Sequence, residues 1–280
     1  MRIQVEHETC YDYDAPVRLG PHLVRLRPRL DGGAAEIDYS LEVEPLPSAR
    51  RECLDAAGNR VTRLWFGGEA SRLRLVVNLD VETGDAERYA ARLEPDEARL
   101  PPAYAAADAA LLAPYLGLCG ADPSLSALVE ELTSAADGDA LRFLELLNQR
   151  LHQQIEREIR PSGAAQTPAQ TLARGRGACR DQTVLFIAVC RAVGLAARFV
   201  SGYQDRSAIE GEGRHLHAWP EAYLPNIGWL GFDPTRGIPV ADGHIAVAAA
   251  ANPTGALPVE GCYFGDAGSR LTFALRIQVI

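Results

Sequence analysis

Residues 175–194 read Gly-Arg-Gly-Ala-Cys-Arg-Asp-Gln-Thr-Val-Leu-Phe-Ile-Ala-Val-Cys-Arg-Ala-Val-Gly. Two glycines, Gly175 and Gly177, precede Cys179, and an apolar run from Val184 to Cys190 follows it. A segment apolar nearly all round predicts a buried helix, and Gly194 supplies its stop. Cys179 then falls in the first turn of a central helix. Free amides and the helix field favour a thiolate there, while the glycines allow a turn tight enough to leave the sulfur at a surface. Cys190, amid apolar neighbours, reads as packing.

Downstream the hydrophobic period returns to two. Ala197–Tyr203 is one predicted strand; Leu216–Leu224 and Trp229–Phe232 are two more, around the turn Pro225-Asn226-Ile227-Gly228. A nucleophilic thiol requires a base and a group that orients the base. The hairpin brings His217 and Asp233 to the same end of adjacent strands, where an imidazole and a carboxylate can bond across the ladder. His215 shares the face of His217, so periodicity alone does not choose between them. Trp219, on that same face, is a candidate wall of the thiol's cleft, and Arg180 a second cleft candidate. Asp181 suits a helix start as a cap. His244 can donate to a substrate or close a loop. Residues 206–214 read as an exposed loop, and Leu271–Ile280 as a final strand.

Upstream, residues 1–93 predict an antiparallel β domain, with alternation in Arg2–Tyr11, Ile37–Val43, Val61–Phe66 and Leu73–Val81. The prolines at 101 and 102 mark a junction, and residues 94–280 form the predicted core, final strand included. In it Leu141, Leu144, Leu147, Leu151, Ile155 and Ile159 line one helix face, capped by Asp137 or Asp139 and stopped at Pro161. Thr167-Pro168-Ala169-Gln170 is a compact helix start. The fold class is α+β. Ala246–Ala251 is alanine-rich and too short to count as low complexity.

The 280 residues carry 28 Lys and Arg against 37 Asp and Glu, a net charge of −9. Length and a 47% apolar content exclude disorder of the whole chain. The acidity disfavours nucleic acid and anionic lipid as partners. The alternating start predicts neither a secretory leader nor an anchor. Six scattered cysteines with no C-x-x-C spacing predict no zinc site and no redox pair, hence a reduced, cytoplasmic protein.

The stretch GACRDQTVLFIAVCRAVGLAARFVSGY from Gly177, followed by HAWPEAYLPNIGWLGFDPT from His217, resembles the catalytic core of the bacterial transglutaminase-like family, within the papain-like fold superfamily. YDYDAPVRLGPHLVRLRP from Tyr11 and DAAGN from Asp55 resemble the β domain that precedes that core. The resemblance implies a Cys-His-Asp triad of Cys179, His217 and Asp233, and so chooses His217 over His215. It implies acyl transfer on a peptide or protein substrate, at a peptide or side-chain amide bond, with no metal or cofactor. Hydrolysis is the expected outcome; protein-glutamine transamidation and a non-catalytic peptide-binding module are the alternatives. Gln182-Thr183 and Pro220 depart from the family pattern.

Overall fold

The computed structural model describes residues 1–84, 99–117, 123–160, 162–205 and 215–280. The chain forms a curled antiparallel β half-barrel and a mixed α/β core. The half-barrel is built on β1 (Arg2–Val24), with β2 (Ala34–Glu44), β3 (Ala49–Leu54), β4 (Arg60–Trp65) and β5 (Ala70–Thr83). Residues 2–12 of β1 pair with β5, and residues 22–24 pair with β4 beyond an irregularity between Asp12 and Val17. Leu73, Leu75, Val77, Leu79 and Val81 alternate inward on β5 beside Ile3 and Val5. That pleat, buried on one face, is what the period-two pattern predicts. β3 escapes the pattern because it is an exposed edge, Ala-Arg-Arg-Glu-Cys-Leu.

The helices follow: α1 (Ala106–Leu116), α2 (Pro123–Ala136) and α3 (Ala140–Gln154). The Asp139 side chain caps α3, accepting from the Arg142 amide at 2.9 Å, and Phe143, Leu144, Leu147 and Leu151 are buried along one face. α3 ends at Gln154, short of the predicted stop; Pro161 lies outside the described residues. Long-range pairing terminates it: β6 (Glu156–Arg157) runs parallel to β7 (Arg176–Gly177), the Glu156 and Glu158 amides bonding the Gly175 and Gly177 carbonyls at 2.8 and 3.0 Å. Ile159 is therefore off the helix and exposed. Between them, α4 (Pro168–Arg174) opens with the Thr167–Gln170 capping box.

α5 (Cys179–Ala192) is the central helix and packs on a sheet ordered β11-β10-β9-β8-β12: β8 (Ala197–Gln204), β9 (His217–Leu224), β10 (Gly228–Asp233), β11 (Ile238–Pro239) and β12 (His244–Ala250). Phe186 of α5 stacks on Phe232 of β10 at 5.7 Å. β12 is the alanine-rich stretch, and every residue in it is buried. Ile245 and Val247 enter the half-barrel's core, and Ala248 and Ala250 the helical core. The Asn59 side chain bonds the Ala249 amide at 2.7 Å and its carbonyl at 3.0 Å, fastening the two units together.

β13 (Val259–Phe264) and β14 (Ser269–Val279) both pair with β1, β14 in an unbroken register from Ile3↔Val279 to Tyr13↔Ser269. The alternation in Leu271–Ile280 does make a strand. Its assignment to the core is corrected: hydrogen bonding places it in the half-barrel, and periodicity carries no information about a strand's partner. The predicted boundary at residue 93 and the loop 206–214 lie outside the described residues.

Candidate functional site

Gly175, at φ 61°, ends α4 in the left-handed conformation, the role glycine fills at a helix C-terminus. Two residues later Gly177 is tightly packed: a Cβ there would stand 3.0 Å from the Asp181 Cβ and 3.2 Å from the Thr171 methyl, so both would have to give way. Asp181 is wholly buried and gathers the turn around itself. One of its oxygens accepts from the Ala178 amide at 2.8 Å, the other from the Gln166 amide at 2.8 Å and the Arg160 guanidinium at 2.7 Å. Cys179 follows as the first residue of α5, half-buried, its own amide in the turn that has no intrahelical acceptor.

Across from it, β9 begins with His217, paired in register with Gly202 of β8. The His217 imidazole and the Ala218 N–H both lie close enough to the Cys179 thiol to act on its ionisation. His217 Nε2 lies 2.8 Å from Asp233 Oδ2, which leaves Nδ1 as the ring atom for sulfur. Asp233 closes β10, is wholly buried, and its carbonyl accepts from the Arg236 and Gly237 amides. The structure thus pairs His217 with Asp233 at 2.8 Å, with Cys179 at the start of α5 feeling the charge of His217.

The charges reinforce the geometry. Burial pushes the Cys179 thiol up, but the hydrogen bond and charge of His217, with the Ala218 amide, bring it below its ordinary value. Burial alone would lower His217; the charge and hydrogen bond of Asp233 overcome this and raise it to about 10. Burial likewise opposes ionisation of Asp233, and His217 reverses it, holding the carboxyl far below the usual range. A thiol moved down beside an imidazole moved up is the setting of a thiolate–imidazolium pair. Burial pushes Cys190 far up instead.

The remaining candidates fall elsewhere. Trp219 is wholly buried, its ring 6.1 Å from that of His217 and 5.2 Å from that of His244, so it is packing behind the site and not a cleft wall. Arg180 donates to the Arg160 and Ser162 carbonyls at 2.8 and 2.7 Å. His215 stacks edge-on against Phe273 of β14 at 5.2 Å. His244 is buried with Nε2 3.2 Å from Asp233 Oδ2, a partnership that loop spacing in the sequence does not signal. Donor atoms of His217, Asp233 and His244 lie within 4.8 Å of one another. Their 2.8 and 3.2 Å contacts are hydrogen bonds; an ion binding there would displace the proton shared with His217.

Residues 126–234 match the transglutaminase-like superfamily, and residues 3–82 match the bacterial transglutaminase-like N-terminal region. The chain is thus similar to the transglutaminase-like superfamily over its core and to the N-terminal region of its bacterial members over the β domain. An uncharacterized protein of Mycobacterium leprae is 26% identical over 293 aligned positions, spanning 99% of this chain and 98% of the relative. The crystal structure of a candidate cysteine protease from Cytophaga hutchinsonii superposes with a TM-score of 0.69 at 20% identity, covering 99% of this chain and 90% of the other. The periplasmic domain of TgpA from Pseudomonas aeruginosa matches at 18% identity and a TM-score of 0.41, covering 82% and 90%.

The expected cytoplasmic location does not stand. Unpaired cysteines do not assign a compartment. Among the described residues no helix is long and apolar enough to cross a membrane.

Proposed function

We propose that the chain is a cysteine-dependent acyl-transfer enzyme acting on peptide or amide bonds of a peptide or protein substrate, with water as the acceptor. The observation that supports this is the buried His217–Asp233 bond at 2.8 Å, beside a Cys179 thiol at a helix start that His217 brings below its ordinary pKa. The Cys179 thiolate attacks the carbonyl carbon, and the negative oxygen so formed accepts from the free amide of Cys179 at the helix start. His217 gives its Nδ1 proton to the departing amine as the C–N bond breaks, leaving a thioester. It then takes a proton from water, whose oxygen attacks that thioester, and the thiolate returns. Asp233, bonded to Nε2, keeps Nδ1 turned toward the sulfur throughout.

Hydrolysis is preferred to amine transfer because a transamidase must exclude water while admitting an amine. The core's two tryptophans do not form a walled passage to the sulfur. Trp219 is buried behind His217, and Trp229 lies under the Arg198 guanidinium, 4.3 Å away.

The test is incubation with a diverse peptide library and a labelled primary amine, read by mass spectrometry beside Cys179→Ala. Cleavage or deamidation that vanishes in the variant is the expected result. Dominant amine incorporation would replace hydrolysis with transamidation, and no turnover would leave a peptide-binding module.

A further inference from the structure

Asp233 Oδ2 serves two histidines. Beyond the 2.8 Å contact with His217, it lies 3.2 Å from Nε2 of His244, the first residue of β12. The other carboxylate oxygen, Oδ1, is buried without a partner among the described residues. At the far side of the His244 ring, Nδ1 accepts from the Ala241 amide at 3.4 Å. A nitrogen that accepts from a backbone N–H carries no proton, so the proton of a neutral ring sits on Nε2 and points at Asp233. The ring is held in that plane by Trp219, edge-on at 5.2 Å, and by pairing with Gln204 of β8.

From this geometry we infer that His244 is a positioning residue: its Nε2–H fixes and solvates the Asp233 carboxylate, which in turn fixes His217 over the thiol. This rests on the proposed triad. A buried carboxylate with one donor fewer is harder to keep ionised. It would draw the proton back from His217, and the thiolate would lose its imidazolium. Among the described residues, the titratable and charged groups nearest His244 are Asp233, His217 at 6.3 Å between rings, and Asp205, whose backbone N–H donates to the Gly243 carbonyl. Cys179 stands beyond His217. Asp242 adjoins in sequence.

The experiment is the pH profile of Cys179 alkylation by iodoacetamide, which needs no substrate, in wild type, His244→Ala and His244→Gln. Loss of one donor to a charged group moves the thiol's midpoint up by about one pH unit, and alkylation at pH values below that midpoint slows about tenfold. His244→Gln, which keeps an amide N–H, should restore both. Wild-type profiles in both variants, or equal loss in both, would overturn the inference. A second measurement needs no variant: the imidazole nitrogen spectrum of the wild-type protein at neutral pH should show His244 neutral and protonated on Nε2. Protonation on Nδ1, or on both nitrogens, would overturn it. Wild-type Cys179 alkylating no faster than an ordinary thiol would instead refute the proposed function, with the His244 tautomer still legible by itself.

Discussion

His7 makes the interface of the two units sensitive to acid. It sits on β1, buried, with Nδ1 3.1 Å from the Tyr203 hydroxyl of β8 and Nε2 3.2 Å from the Thr9 hydroxyl. Burial lowers its pKa from 6.5 to about 4. A histidine lowered on folding binds its proton more readily when unfolded. Stability is therefore unaffected well above pH 6.5 and is lost as pH falls through 6.5 toward 4. At about 1.4 kcal/mol per pH unit the full gap is worth about 3.4 kcal/mol, of which about 2 is already lost at pH 5. His217 acts in the opposite direction, being raised to about 10, so wild type must be compared with His7→Gln, which keeps donor and acceptor functions but does not titrate. Urea unfolding followed by circular dichroism at about pH 7.5 and about pH 5 gives both stabilities. Wild type should lose about 2 kcal/mol more than the variant between these values. Equal losses would refute the account of a buried, neutral His7.

Three further outcomes are expected. Gly202→Ala should destabilise by about 3 kcal/mol or more, because a methyl there overlaps the Ile245 carbonyl and comes within 2.9 Å of Trp219 Cζ3; an unchanged melting temperature would contradict this. Cys179 should alkylate faster than Cys190 in the folded protein, one thiol being lowered by His217 and the other raised by burial, and peptide mapping after a short pulse decides it. Turnover should rise with pH through the lowered thiol pKa and fall as His217 deprotonates near 10; activity that continued to rise beyond that point would remove His217 as the acid.

The core motifs were readable because local chemistry dictates them. A glycine-flanked cysteine before an apolar run can be little but a helix start, and the hairpin turn at Asn226, with φ 65°, fixes which ends of β9 and β10 meet. What stayed hidden depends on distant partners. β12 looked like a minor alanine tract because it is buried on both sides, and a strand without a wet face has no period of two. The end of α3 is set by pairing with residues near Gly175 and not by its own sequence. His244 meets Asp233 only because β12 enters the sheet beside β8, a crossover that spacing along the chain does not encode.

The ladder between β1 and β14 also bears on the order of assembly. It joins residues as far apart as Ile3 and Val279 and includes the Glu6–Arg276 ion pair, 270 positions apart. Ribosomes deliver the first strand long before the last, at about 5–20 residues per second. During that interval one flank of β1 stands open as an unpaired edge. Closure of so wide a loop comes late and slowly, so the nascent half-barrel passes through a stage exposed to mispairing with other chains. The cysteine-bearing helix α5 is made well before that flank is covered.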